Sequence, residues 1–134
     1  DQVEGLGLYY DALGVAFQII DDTLNLKGFK DGLKTKGEDI TAGKITYPIA
    51  VAMSFLDLND RKRLWEIVQM KTADITLLGE AISLLDKFEV LEKCTQEATD
   101  IVNAAWKILD PLVKDSMVKL NLRAFSWYIL DRTY

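Results

Sequence analysis

Gln18-Ile19-Ile20-Asp21-Asp22-Thr23-Leu24-Asn25 is the stretch on which the reading of this chain turns. Two adjacent carboxylates and two amides interrupt an otherwise apolar helical pattern. At about 100° per residue, Gln18, Asp21, Asp22 and Asn25 fall at i, i+3, i+4 and i+7, within an arc of roughly 100° on one helix face. Ala16, Phe17, Ile19, Ile20, Leu24 and Leu26 cover the other faces, which predicts a helix buried on most sides. Carboxylates there must look into a wet cavity or onto a cation, because an unpaired buried carboxylate is very costly.

Apolar residues recur at helical spacing along almost the whole chain, whereas the alternation of a strand is hard to find. The fold class is therefore all-α. A first helix is expected from Val3 to Leu26, with Lys27-Gly28 as its stop signal. Gly28 to Gly43, which also holds Gly32 and Gly37, is the one extended irregular stretch, and such loops carry function when a rigid scaffold holds them. A second helix should begin soon after Lys44, with Pro48 in its first turn, and end near Leu58. Asn59-Asp60 is expected to cap a third, whose Leu64, Ile67 and Val68 form an apolar stripe. Asp74 or Thr76 starts another through Leu85, Val90 to Leu109 carries a further one, and Pro111 opens a last segment from Leu112 to Tyr134. No repeat, linker or low-complexity tract divides the chain, so residues 1–134 read as part of one domain.

Composition sets the outer limits. With 134 residues, 49% of them hydrophobic, there is room for one sizeable core and one domain. A net charge of -5 argues against nonspecific nucleic-acid binding. The apolar runs Ala12–Phe17 and Ile49–Met53 are too short to cross a bilayer, so no transmembrane segment is expected. The single cysteine, Cys94, cannot form an internal disulfide, which fits a reducing compartment: the cytoplasm, or an organelle such as a plastid. Asp1 stands where a Met would open a chain, which leads to the expectation that an upstream portion was removed or lies elsewhere.

Lys34, Lys36 and Lys44 put ammonium groups near the end of the acidic helix, interleaved with Glu38 and Asp39. Carboxylates able to hold a hard divalent cation, beside lysines acting as point charges, make a site for a polyphosphate. Magnesium commonly uses one or two carboxylates and completes its octahedron with water and substrate phosphate, and Asp21 and Asp22 supply that minimum. Zinc is disfavoured, because histidine is absent and Cys94 stands alone. The N-terminus of the helix after Lys44 adds its positive dipole end to the same region.

Gly14-Val15-Ala16-Phe17-Gln18-Ile19-Ile20-Asp21-Asp22-Thr23-Leu24-Asn25, then Lys36-Gly37-Glu38-Asp39-Ile40 and Gly43-Lys44-Ile45-Thr46-Tyr47-Pro48, resembles the trans-isoprenyl diphosphate synthase (polyprenyl synthetase) family. The family's second aspartate-rich motif and the phosphate-binding loop after it are matched in order and spacing. The resemblance covers essentially the whole chain and corresponds to about the C-terminal half of a usual member.

The resemblance implies a helical bundle of the isoprenoid synthase type and a prenyltransferase of the geranylgeranyl or farnesyl diphosphate synthase class. Such an enzyme condenses an allylic diphosphate with isopentenyl diphosphate and releases pyrophosphate. By the same resemblance, Asp21 and Asp22 would bind Mg2+, Asp39 would orient water or lysine around the metals, and Asn25, where the family usually has a third aspartate, would be a weak neutral ligand. Gln18 would face the reacting carbons, and Lys36 and Lys44 would contact the allylic diphosphate. The upstream half of the same synthase and a second subunit, in a homo-oligomer, are the implied partners. Two other readings stand beside it: a noncatalytic regulatory subunit, against which the retained charged cluster speaks, and part of a terpene cyclase, against which the Lys36 to Lys44 loop speaks.

The remaining residues take plainer roles. Cys94 reads as a small core residue. Trp65, Trp106, Trp127, Tyr9 and Tyr10 read as core or interface packing. Arg61-Lys62-Arg63 reads as a solvated helix face, and Arg123 and Arg132 as surface or salt-bridge residues.

Overall fold

In a computed structural model, residues 1–30 and 37–132 are described, Phe29 and Lys30 by backbone alone. Among them every regular element is helical: α1 (Gln2–Lys30), α2 (Glu38–Thr41), α3 (Tyr47–Phe55), α4 (Leu58–Met70), α5 (Ile75–Asp86), α6 (Val90–Leu109), a 3-10 turn (Asp110–Leu112) and α7 (Met117–Leu130). The all-α expectation holds. No helix among the described residues is long and apolar enough to cross a membrane. The chain forms two compact units, Asp1–Ile20 with Thr95–Tyr134, and Asp21–Cys94.

In the first unit, Tyr9, Leu13 and Ala16 of α1 are buried, as are Ala98, Val102 and Leu109 of α6 and Ile129 of α7. Tyr9 anchors this core with both of its ends. Its ring lies 5.4 Å from that of Trp106, and its hydroxyl donates to the Leu122 carbonyl at 2.9 Å. Gly5 marks a close approach, since a Cβ there would stand 2.9 Å from Leu112 Cδ1. Gln2 Nε2 donates to the Leu112 carbonyl at 2.7 Å.

In the second unit, α5 packs on α3 and α4, and α2 packs on α4. The expected stripe of Leu64, Ile67 and Val68 is fully buried, and it shares the unit's core with Ile49, Ala52, Ala81 and Leu85. Pro48 sits in the first turn of α3, as its missing N–H allows. Asp74 caps α5 by accepting from the amides of Thr76 and Leu77 at 2.8 and 3.3 Å. Cys94 is buried and in no disulfide, consistent with a small core residue.

Several boundaries differ from expectation, each for a local reason. α1 continues past Leu26 to Lys30, because Gly28 is a buried position inside the helix and not its left-handed stop. Among the described residues, the positive-φ glycines are Gly37 and Gly43. The stretch read as irregular contains the short helix α2. α3 ends at Phe55 because Asp57, not Asn59-Asp60, caps α4: its Oδ1 accepts from the Asp60 amide at 2.9 Å. That bond holds the Asp57 carboxyl below its usual range. Pro111 opens only the 3-10 turn, and α7 starts at Met117 under a Ser116 cap that accepts from the Lys119 amide.

Two surface expectations are also corrected. Phe17 is 44% exposed, so one apolar face of α1 stays open, whereas Ala16, Ile19, Ile20 and Leu26 are buried as expected. Arg63 is no solvated charge: its guanidinium forks onto Glu80 at 2.6 and 2.8 Å and ties α4 to α5. Trp65, Trp127 and Tyr10 lie about half exposed, while Tyr9 alone of the named aromatics is fully buried.

Candidate diphosphate and cation site

The candidate site of the second unit is built around the C-terminal part of α1 and the loop between α2 and α3. Asp21, Asp22 and Asn25 lie half-buried on α1, with helical spacing placing them on one face. Asp22 Oδ2 accepts from the backbone amide of Tyr47 at 3.1 Å. Tyr47 is the first residue of α3, and Thr46, at the capping position, makes no side-chain cap bond. A carboxylate from α1 therefore satisfies a helix N-terminus twenty-five residues further on. The positive end of α3, expected to attract an anion, receives one from the chain itself.

Lys44 reaches the same region. Its ammonium donates to Asp39 Oδ1 at 2.9 Å, with the lysine side chain 66% exposed and the aspartate 16%. The hydrogen bond and charge of Asp39 raise the Lys44 pKa above 10.5, burial opposes the shift, and the charges of Asp22 and Glu38 add lesser contributions to it. Asp22, Asp39 and Lys44 thus lie within one electrostatic neighbourhood.

Backbone geometry fixes the approach of this lysine. Gly43 has φ +69°, and a Cβ on it would stand 2.8 Å from Lys71 Cγ and 3.2 Å from the Val68 carbonyl oxygen at the end of α4. Only glycine meets both the left-handed conformation and the close approach without strain. On the other side of α2, the Gly37 amide donates to the Asn25 carbonyl at 3.1 Å and returns the chain to α1. Both contacts were missed in the sequence, although the glycines flanking Glu38–Ala42 were the available signal.

The other expected residues fall as follows. Gln18 is exposed on α1, one turn before Asp22 on the same helix and within the first unit. Lys34 and Lys36 lie outside the described residues. Among the described residues Arg123 makes no salt bridge; it donates to Asn103 Oδ1 at 2.7 Å. Arg132 stacks 4.5 Å above the Phe17 ring.

No three Asp, Glu or Cys side chains among the described residues are grouped so as to hold a metal ion by themselves. The donors present suit a hard divalent cation that takes its remaining ligands from water and phosphate. Asp21 and Asp22 supply carboxylate oxygens, and Asn25 Oδ1 is a buried acceptor without a hydrogen-bond partner. Thr46 Oγ1, beside the Tyr47 amide in sequence, is a second such atom, which no side-chain pattern announces.

Residues 1–85 match the polyprenyl synthetase family. The chain is 30% identical over 134 residues to a short chain isoprenyl diphosphate synthase of Methanothermobacter thermautotrophicus, covering 99% of this chain and 40% of that protein. It is 31% identical over 128 residues to a prenyl transferase of Porphyra purpurea, covering 95% of this chain and 38% of the relative. Among solved structures, a geranylgeranyl pyrophosphate synthetase from Pyrococcus horikoshii superposes with a TM-score of 0.83 at 27% identity, over 98% of this chain and 39% of that one. The chain thus spans about two fifths of the length of these relatives. The matched segment contains the carboxylate pair of α1, Asp39 and Lys44, and on that match the chain belongs to the polyprenyl synthetase family.

Proposed function

We propose that this chain is the C-terminal part, residues 1–134, of a single helical prenyltransferase domain that condenses an allylic diphosphate with isopentenyl diphosphate. In that reaction the allylic C–O bond breaks, a C–C bond forms to the isopentenyl unit, and a proton leaves to the departing pyrophosphate. The observation that carries the reading is the neighbourhood of Asp22, Asp39 and Lys44, within the segment shared with the family.

Asp21 and Asp22 would hold Mg2+, with Asn25 as a weaker oxygen donor. Magnesium, when bound, supplies positive charge that stabilises the pyrophosphate leaving group. Lys44, held and kept protonated by Asp39, and Lys36 would bind the diphosphate oxygens, and Asp39 would orient water and lysine around them. Gln18 would turn its amide oxygen toward positive charge developing on the allylic carbons. The upstream half of the synthase would complete the site, in a homo-oligomer. The single, buried Cys94 accords with the cytoplasm or a reducing organelle. The charged cluster favours catalysis over a noncatalytic regulatory subunit, which has no need of it.

The test is isothermal titration of an allylic diphosphate or a bisphosphonate mimic into the chain joined to its upstream portion, with and without magnesium. Magnesium-dependent binding is expected, together with its loss in Asp22→Asn and Lys44→Ala. Binding that ignores magnesium and both substitutions would sink the proposal.

A further inference from the structure

The first unit holds a second cluster of cationic and aromatic side chains, built by α6 and α7 and unrelated to the aspartates of α1. A cleft of about 660 Å³ is lined by Asp100, Asn103, Ala104, Trp106, Lys107 and Arg123. A neighbouring one of about 300 Å³ shares Trp106 and Arg123 with it. The guanidinium of Arg123 sits 5.3 Å from the Trp106 ring and 5.4 Å from the Trp127 ring, within cation–π range of both. Its Nη2 donates to Asn103 Oδ1 at 2.7 Å, which fixes the plane of the fork.

The other end of that fork is unsatisfied. Arg123 Nη1 is buried and has no hydrogen-bond partner, and no carboxylate among the described residues pairs with this arginine. A buried charged donor left without an acceptor is costly, and folding ordinarily removes such groups. Of the carboxylates nearby, Asp110 and Asp115 both hold Lys119, and Asp100, which keeps its charge, accepts from the neutral Gln96 Nε2 at 2.9 Å. Lys107, on the cleft wall, has no ion pair among the described residues and adds a second positive charge. Trp106 and Ala104 give the same cleft an apolar surface.

We infer that the cleft between α6 and α7 is a binding site for a small organic anion, a phosphate or carboxylate carried on a planar or compact apolar group. The anion pairs with the Arg123 guanidinium where it lines the cleft, with Lys107 in support, and the apolar part lies on the Trp106 indole. A guanidinium held in place by Asn103 and two indoles, with one terminal nitrogen already engaged, favours an oxyanion as its charge partner. The volume suits a ligand of this size. This site is independent of the proposed prenyl transfer.

The experiment labels the intact chain with 5-fluorotryptophan and follows the Trp106 fluorine resonance during titration with phenyl phosphate, inorganic phosphate and neutral benzyl alcohol. Assignment uses Trp65→Phe and Trp127→Phe. Phenyl phosphate is expected to shift the Trp106 signal saturably, benzyl alcohol and inorganic phosphate to bind more weakly, and Lys44→Ala to leave the response unchanged. Arg123→Met and Arg123→Lys, each checked for native helicity, are expected to weaken binding by roughly tenfold or more, the lysine because it loses the fork. A silent Trp106, an equal response to benzyl alcohol, or full affinity in a folded Arg123→Lys overturns the inference. A silent Trp106 in a chain that self-associates would assign Arg123 to a polypeptide carboxylate instead.

Discussion

Asp22 carries two demands on one side chain, a bond to the Tyr47 amide and the proposed charge toward a cation. The two separate by substitution. Asp22→Ala is expected to lose about 1 kcal/mol of stability in urea unfolding, the usual worth of an N-terminal helix cap. Asp22→Asn keeps an acceptor oxygen, so it should stay close to wild type in stability while losing magnesium-dependent diphosphate binding. Gly43→Ala is expected to cost about 1 to 2 kcal/mol, because alanine at φ +69° is strained and its Cβ meets the end of α4. Unchanged denaturation midpoints in Gly43→Ala would show that the loop relaxes without strain. At this scale the sequence was informative about identities and silent about partners. The polar face from Gln18 to Asn25 follows from spacing alone. The Tyr47 amide, Lys71 and Val68 are brought to the site by tertiary packing, and backbone groups leave no mark in a pattern of side chains.

Among the helices, the fork between Arg63 on α4 and Glu80 on α5 gives a pH signature. Arg63 lowers the Glu80 pKa from 4.5, chiefly through the hydrogen bond and then by its charge, and burial opposes the shift only in part. A carboxyl depressed in the folded state contributes stability that is present above its unfolded pKa and lost as pH falls through the folded value. Glu80→Gln should therefore be less stable than wild type at pH 7, and the gap should close progressively below pH 4.5, as read by urea unfolding across that window. A constant gap from pH 7 to pH 3 would mean the pair contributes packing and no charge. The bounds of α6 were legible from Val90 to Leu109, because a long apolar periodicity there meets clear breaks. The start of α7 was not, because Pro111 suits a 3-10 turn as well as the first turn of an α-helix. The start of α4 was missed for a similar reason: three candidate caps, Asp57, Asn59 and Asp60, fall within four residues, and only the geometry chooses Asp57.

For the whole molecule, charge and exposed apolar surface act against one another. The net charge is -5 at pH 7 and the isoelectric point is about 4.7, while Leu58, Ile75, Met117, Val118 and Tyr128 stand well exposed. Like-charge repulsion that keeps molecules apart vanishes near the isoelectric point. Light scattering is expected to rise as pH is lowered from 7 toward 4.7 and to fall again on return, and a flat profile would show that the exposed residues do not associate. All-helical class was plain from the sequence, but the exposure of Phe17 was not, since a count of apolar residues says nothing about what covers each one. The bond between the Tyr47 amide and Asp22 has a practical consequence at this scale. The proton on that amide senses the charge of the carboxylate it faces, so its chemical shift and its exchange rate with solvent deuterium change when a cation draws on the same oxygens. If the proposed cation binds Asp22, one backbone resonance on α3 becomes a built-in gauge of its occupancy, readable without substrate, turnover or label beyond nitrogen-15.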